Sequence, residues 1–237
     1  MTTKRFSWAR RAQGLLMAAA CTLGMVALAS CSETGTDNEE FANWQSRNDT
    51  YFNSVYAKAQ EAIKGGSTEW KIFRKWSLTE EMAKQNHDHV VVQVLEQGTG
   101  SGCPLYTDSV MVHYKGRLIP SASFINGAIV GSSYEGEFNK ATAHPVAFPV
   151  NNTITMDGIC TALQQMHIGD RWRIFIPYQL ALGGSAYKGT STAGWITYAF
   201  PAYSGLIYEI SLAAYYRTGE KPGEWKAKPF VGEWVTE

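Results

Sequence analysis

The sequence predicts an α+β fold, an antiparallel β-sheet wrapped around one short helix, with a helical extension at its N-terminus. Three observations carry this. Several short segments beyond His89 alternate apolar and polar residues with a period of two. Within that region only Thr155 to Met166 has helical spacing, with Ile159, Ala162, Leu163 and Met166 on one stripe and Gly169 just past its end. A long Gly-, Ser- and Thr-rich stretch, Tyr178 to Tyr203, then separates two further strands.

Residues 1–30 read as a lipoprotein signal peptide. Lys4, Arg5, Arg10 and Arg11 make a basic start with no acid before Cys31. The apolar run from about Gly14 to Ala29 has the proportions of a signal core, too short for a convincing membrane span. It ends in Leu28-Ala29-Ser30-Cys31, which resembles the cleavage site of bacterial lipoproteins. In that family the cysteine becomes the new N-terminus and is acylated. Several acyl chains anchor more firmly than the marginal hold of one. The resemblance implies the bacterial cell envelope, at an outer membrane facing the periplasm or the cell surface. Residues 31–38 are small and polar, a tether.

Residues 39–88 form a predicted extension. Phe41, Trp44, Phe52, Val55, Ala59 and Ile63 share one helical face, Asp37 or Asn38 can cap its start, and Gly65-Gly66 stops it. Trp70, Ile72, Trp76 and Leu78 then suggest a strand. The extension is either a brace packed on the main domain or an arm that binds a partner. Predicted strands follow at Val90 to Leu95, Asp108 to Ile119, Pro145 to Val150, Arg171 to Ile176 and Leu206 to Ala213. Residues 215–237 form a polar tail in which Pro222 and Pro229 break any regular element.

Length and charge narrow the function. The chain has 237 residues, with 21 basic and 21 acidic side chains. The leader removes four basic residues and no acid, leaving 17 against 21, a net charge of −4. That balance argues against nucleic acid as a partner, since phosphate recognition needs a clustered basic surface. No phosphate loop and no nucleophile elbow are present. His87 and His89 offer two imidazoles with no third ligand at useful spacing, so no metal and no cofactor are expected. Cys103 and Cys160 could form a bridge outside the cytoplasm or stay as buried thiols, and spacing decides neither.

The order of the later segments resembles the FKBP-type peptidyl-prolyl isomerases. Val110-Met111-Val112-His113-Tyr114-Lys115-Gly116-Arg117-Leu118 matches their V-x-V-H-Y-x-G-x-L strand. Gly131-Ser132-Ser133 stands at their F-D-S-S turn, and Pro145 to Val150 at their P-x-x-F-x-L strand. Gly158-Ile159 through Met166 is similar to their G-W-x-x-A-L-x-x-M helix, and Gly169 to Pro177 to the strand after it. Ala199-Phe200-Pro201 through Leu212 resembles their closing segment. The resemblance spans residues 89–214 and implies an isomerase acting on proline-containing, unfolded or exported polypeptides.

It also implies a site. Tyr114 and Tyr208 stand at pocket-wall positions, and the Met156 backbone N–H at the position that meets the substrate carbonyl. Phe148 and Phe200 are apolar lining. Four positions depart from the pattern: Val130 for Phe, Gly131 for Asp, Ile159 for the floor Trp, and Leu182 for a Tyr. The loss of the indole floor leaves the cup deeper or filled by a neighbour. The loss of Asp and Tyr removes orienting groups. Isomerase activity below that of a full-motif member is therefore expected, and a polypeptide-binding module without turnover is the alternative. The 183–203 loop, with Tyr187, Trp195 and Tyr198, either holds a partner or covers the pocket.

Overall fold

The computed structural model describes residues 39–151, 156–189, 195–218 and 232–235. The leader, Cys31 and the tether lie outside the described residues. From Phe41 onward the chain is one compact unit.

Helix α1 spans Trp44–Lys64. It begins later than the periodicity suggests because Asn43 sits at φ 51°, a left-handed conformation that asparagine tolerates and a helix does not continue through. Its end follows the sequence. Gly66 adopts φ 82°, and the amides of Gly66 and Ser67 return to the carbonyls of Ile63 and Ala62.

Among the described residues, eight strands form one antiparallel sheet: β1 Trp70–Arg74, β2 His89–Glu96, β3 Ser109–Leu118, β4 Ile129–Ser132, β5 Val146–Pro149, β6 Arg171–Ile176, β7 Leu206–Thr218 and β8 Gly232–Val235. The order is β1-β2-β6-β7-β3-β4, with β5 also paired to β3 and β8 to β7. The short helix α2, Asp157–Leu163, buries every residue from Gly158 to Leu163. The α+β architecture is as the sequence predicts.

The two faces of the sheet are separately packed. Val90 and Val92 of β2, Trp172 and Ile174 of β6, and Tyr208 and Ile210 of β7 join the core that includes α2. Val91 and Phe175 face the other way, against Phe52 and Ala59 of α1. The period-two alternation of strands thus produces helix, sheet and helix as layers. The extension is a brace. Trp44 Nε1 donates to Ser204 Oγ at 2.8 Å, Gly205 N donates to Asn48 Oδ1 at 2.8 Å, and Trp70 stacks on Phe175 at 6.1 Å.

Three expectations need correction. The first strand ends at Arg74, and Trp76 instead bonds through its backbone N–H to Thr161 Oγ1 and stacks on Tyr106. The last strand does not stop at Ala213. A bulge there shifts the register from Met111↔Ala214 to Val112↔Leu212 and breaks the apolar alternation, while the ladder continues to Thr218. The tail holds β8, registered from Tyr215↔Val235 to Thr218↔Gly232.

Candidate active site

The cup forms where β3, β5, β7 and α2 converge. Tyr114 comes from β3, Phe148 from β5, Tyr208 from β7, and Ile159 from α2, with Met156 at that helix's start. Phe148 lies opposite Val110, and Tyr208 opposite Gly116, where a Cβ would come within 2.4 Å of the Tyr208 ring. Glycine at 116 therefore lets the phenol lie flat over the strand. The Tyr114 ring stands 5.7 Å from Phe148 and 6.2 Å from Tyr208. Burial pushes the Tyr114 hydroxyl up to about 12 and that of Tyr208 well above its usual range. Both remain protonated near neutrality, so neither is a base.

The cup is filled from within the chain. Trp195, 1% exposed, stacks on Phe148 at 4.5 Å and approaches Tyr114 at 5.0 Å and Tyr208 at 6.1 Å. The Tyr208 hydroxyl donates to its carbonyl at 2.9 Å. The amides of Thr197 and Tyr198 both donate to Val130 O on β4, at 2.7 and 3.0 Å. Behind them Tyr187 and Phe200 exchange two backbone hydrogen bonds and stack at 5.7 Å. The indole Nε1 is buried without a partner.

The predicted site residues divide accordingly. Tyr114, Met156, Tyr208, Val130, Phe148, Ile159 and Phe200 all belong to one buried cluster that includes Trp195, and Leu182 packs half-buried against it. Gly131 is buried beside the loop, where a Cβ would meet the Trp195 carbonyl at 2.4 Å. An aspartate there excludes the loop as it now lies. Sequence reasoning placed Trp195 in the loop but did not place it among these walls. The signal was the combination of Gly131 and Tyr208, which leave the loop room and supply a donor.

Cys103 and Cys160 are free thiols rather than a bridge. Cys160 Sγ donates to Val150 O at 2.8 Å inside the core, and burial pushes its thiol up to about 12. Cys103 lies elsewhere, its sulfur 3.8 Å from His167 Nε2.

A groove of about 420 Å³ opens on the opposite face of the sheet. There Arg173 and Arg171 pair with Glu209 at 2.7 and 3.2 Å, Arg171 with Glu96 at 3.0 Å, and Arg173 with Gln93 at 3.2 Å. Burial would raise the Glu209 carboxyl, but the Arg173 hydrogen bond and the two guanidinium charges outweigh it and hold the carboxyl below its usual range. Arg171, Arg173 and Glu209 satisfy one another, which ties β6 to β7, while Lys115 and Arg117 donate to the backbone carbonyls of Gly136 and Gly127.

Residues 103–213 match the FKBP-type peptidyl-prolyl cis-trans isomerase family. They form an FKBP-type peptidyl-prolyl cis-trans isomerase domain. The chain is 29% identical over 192 residues to the macrophage infectivity potentiator of Trypanosoma cruzi, covering 81% of this chain and 79% of that protein. It is 34% identical over 120 residues to the FKBP-type 22 kDa peptidyl-prolyl cis-trans isomerase of Escherichia coli, covering 51% of this chain and 47% of the relative. A crystal structure of a peptidyl-prolyl cis-trans isomerase from Pseudomonas syringae aligns with a TM-score of 0.45 at 21% identity, over 72% of this chain and 95% of that one. In the FKBP-type domain the ring walls lie inside the matched range, as does the indole that occupies them.

Proposed function

We propose that this chain is a lipid-anchored peptidyl-prolyl isomerase that assists the folding of exported proteins. The observation that carries the catalytic part is the set of ring walls, Tyr114, Phe148 and Tyr208, that surround Trp195, with Ile159 of α2 in the same buried cluster. The cup holds an indole, so it has room for a smaller prolyl ring. The chemistry needs no nucleophile. A peptide bond rotates over a barrier of about 18–20 kcal/mol because resonance keeps it planar and its oxygen polar. Twisting removes that resonance and the polarity with it. A dry apolar cup that strips water from the carbonyl therefore disfavours the planar form more than the twisted one. Uncatalysed X-Pro exchange takes tens to hundreds of seconds, so a modest acceleration matters to a folding chain.

The purified protein should accelerate cis–trans relaxation of a short X-Pro peptide in proportion to its concentration. Relaxation at the thermal rate, with both the native protein and a variant whose cup is emptied, would sink the isomerase reading. Occupation of the cup by Trp195 favours a second reading, a polypeptide-binding module without turnover. Peptide binding with no acceleration separates the two.

The anchor rests on the basic start, the apolar core and Leu28-Ala29-Ser30-Cys31. Labelled fatty acid should enter the native protein in a bacterial host and not its Cys31→Ser variant. Equal incorporation by both rejects Cys31 as the anchor.

A further inference from the structure

The geometry points to Trp195 as the residue that decides what enters the cup: its indole occupies the chamber, and a substrate must displace it. The inference rests on reading that chamber as the prolyl site.

Four features support displacement over permanent wall. The Trp195 backbone lies against β4, where a Gly131 Cβ would come within 2.4 Å of its carbonyl oxygen, so the indole is supplied by the loop and not by the strands and helix that make the walls. Among the described residues the segment is held by single contacts: the Tyr208 hydroxyl donates to the Trp195 carbonyl, the Tyr187 hydroxyl to the Ile196 carbonyl at 3.4 Å, and the Thr197 and Tyr198 amides share the Val130 carbonyl. By contrast the base of the loop is a two-way bridge between Tyr187 and Phe200. That bridge can stay closed while Trp195 leaves the cup. Finally, Trp195 Nε1 is buried with no acceptor. An unmade hydrogen bond is a penalty carried only by the filled state, and it is relieved when the indole swings into water. The filled state is thus favoured by apolar contact yet handicapped in polar terms, as suits an occupant that another ring can replace.

Competition lowers apparent affinity by the fraction of molecules whose cup is empty. Removing the competitor should recover that factor. The test uses the full chain and a fluorescent, unstructured peptide with leucine before proline, followed by anisotropy. Trp195→Ala should bind it about tenfold or more tightly than the native protein. Trp195→Phe, which leaves a smaller plug, should fall between. On the native protein, hydrogen exchange at the Thr197 and Tyr198 amides should quicken when peptide is added, even if a variant folds poorly. Unchanged or weaker binding by a cooperatively folded Trp195→Ala, or slower exchange at those amides, would overturn the inference and make Trp195 part of the cup wall.

The two readings fail differently. Tighter binding by Trp195→Ala without acceleration of isomerisation removes catalysis and leaves displacement standing. Equal acceleration by the native protein and Trp195→Ala removes displacement and leaves the isomerase. Absence of binding by every variant overturns both.

Discussion

The Tyr208 hydroxyl and the Trp195 carbonyl, 2.9 Å apart, join the last long strand of the sheet to the loop that precedes it. Tyr208 is fully buried, so the bond is made away from water. Its hydroxyl stays protonated because burial disfavours the phenolate. The phenol thereby does two things. Its ring is a wall of the cup, and its oxygen fixes the residue that fills the cup.

Tyr208→Phe separates those roles. The ring remains, and the buried Trp195 carbonyl loses its donor, which costs about 1–3 kcal/mol. For a chain of this size, thermal unfolding should fall by about 2–4 °C per kcal/mol lost. Peptide affinity should rise, because the plug is less firmly held. An unchanged melting temperature would show that the carbonyl finds another donor.

Gly131→Asp acts on the same contact from the other side. The new Cβ would lie 2.4 Å from the Trp195 carbonyl oxygen, a clash with backbone that the loop can relieve only by leaving. Burial of a tryptophan removes roughly 150–250 Å² from water, worth roughly 4–6 kcal/mol at about 25 cal/mol per Å² as an upper bound. The unmade Nε1 hydrogen bond offsets about 1–3 kcal/mol of this. A net destabilisation on the order of 3 kcal/mol is expected, with one more tryptophan open to an aqueous quencher. Retained burial of Trp195 in this variant would show that β4 moves instead.

Asn48→Ala tests the brace. Its side chain donates to Trp44 O at 2.7 Å and accepts from Gly205 N at 2.8 Å, inside a residue only 2% exposed. Truncation strands the Gly205 amide just before β7 and should cost about 1–3 kcal/mol. Chemical denaturation should show the loss as a lower midpoint with an unchanged slope. Removal of residues 39–78 should do more, exposing Val91 and Phe175 and causing precipitation. A soluble, cooperatively folded truncation would restore the arm reading of this segment.

Much of this architecture was legible because strands announce themselves locally. On β3, Val110, Val112 and Tyr114 alternate inward, and the same period exposes Val90, Val92, Trp172 and Ile174. Helix α2 was equally plain from Ile159 and Leu163. What failed to show was long-range. The ladder beyond Ala213 depends on a bulge that flips the alternation, and β8 depends on a partner fourteen or more residues away. The site was legible as a set of wall positions and illegible as a state. Gly131 and Ile159 look like losses one at a time. Only the position of Trp195 shows that Gly131 gives the loop passage.

Across the sheet from the cup, Glu209 makes a prediction about acid. Burial alone would raise its carboxyl, but the Arg173 hydrogen bond, the Arg173 charge and the Arg171 contacts leave it lowered. A carboxyl lowered in the folded state stabilises the fold above its unfolded pKa, near 4.3 for glutamate, and that stabilisation is lost as pH falls through the folded value. Glu209→Gln removes the titration and leaves Arg173 and Arg171 without their shared carboxylate. The native protein should therefore exceed the variant in urea midpoint at pH 7, and the gap should narrow as the pH drops through and below about 4. A gap that stays constant or widens over that range would mean that Glu209 is not the group whose ionisation ties β6 to β7.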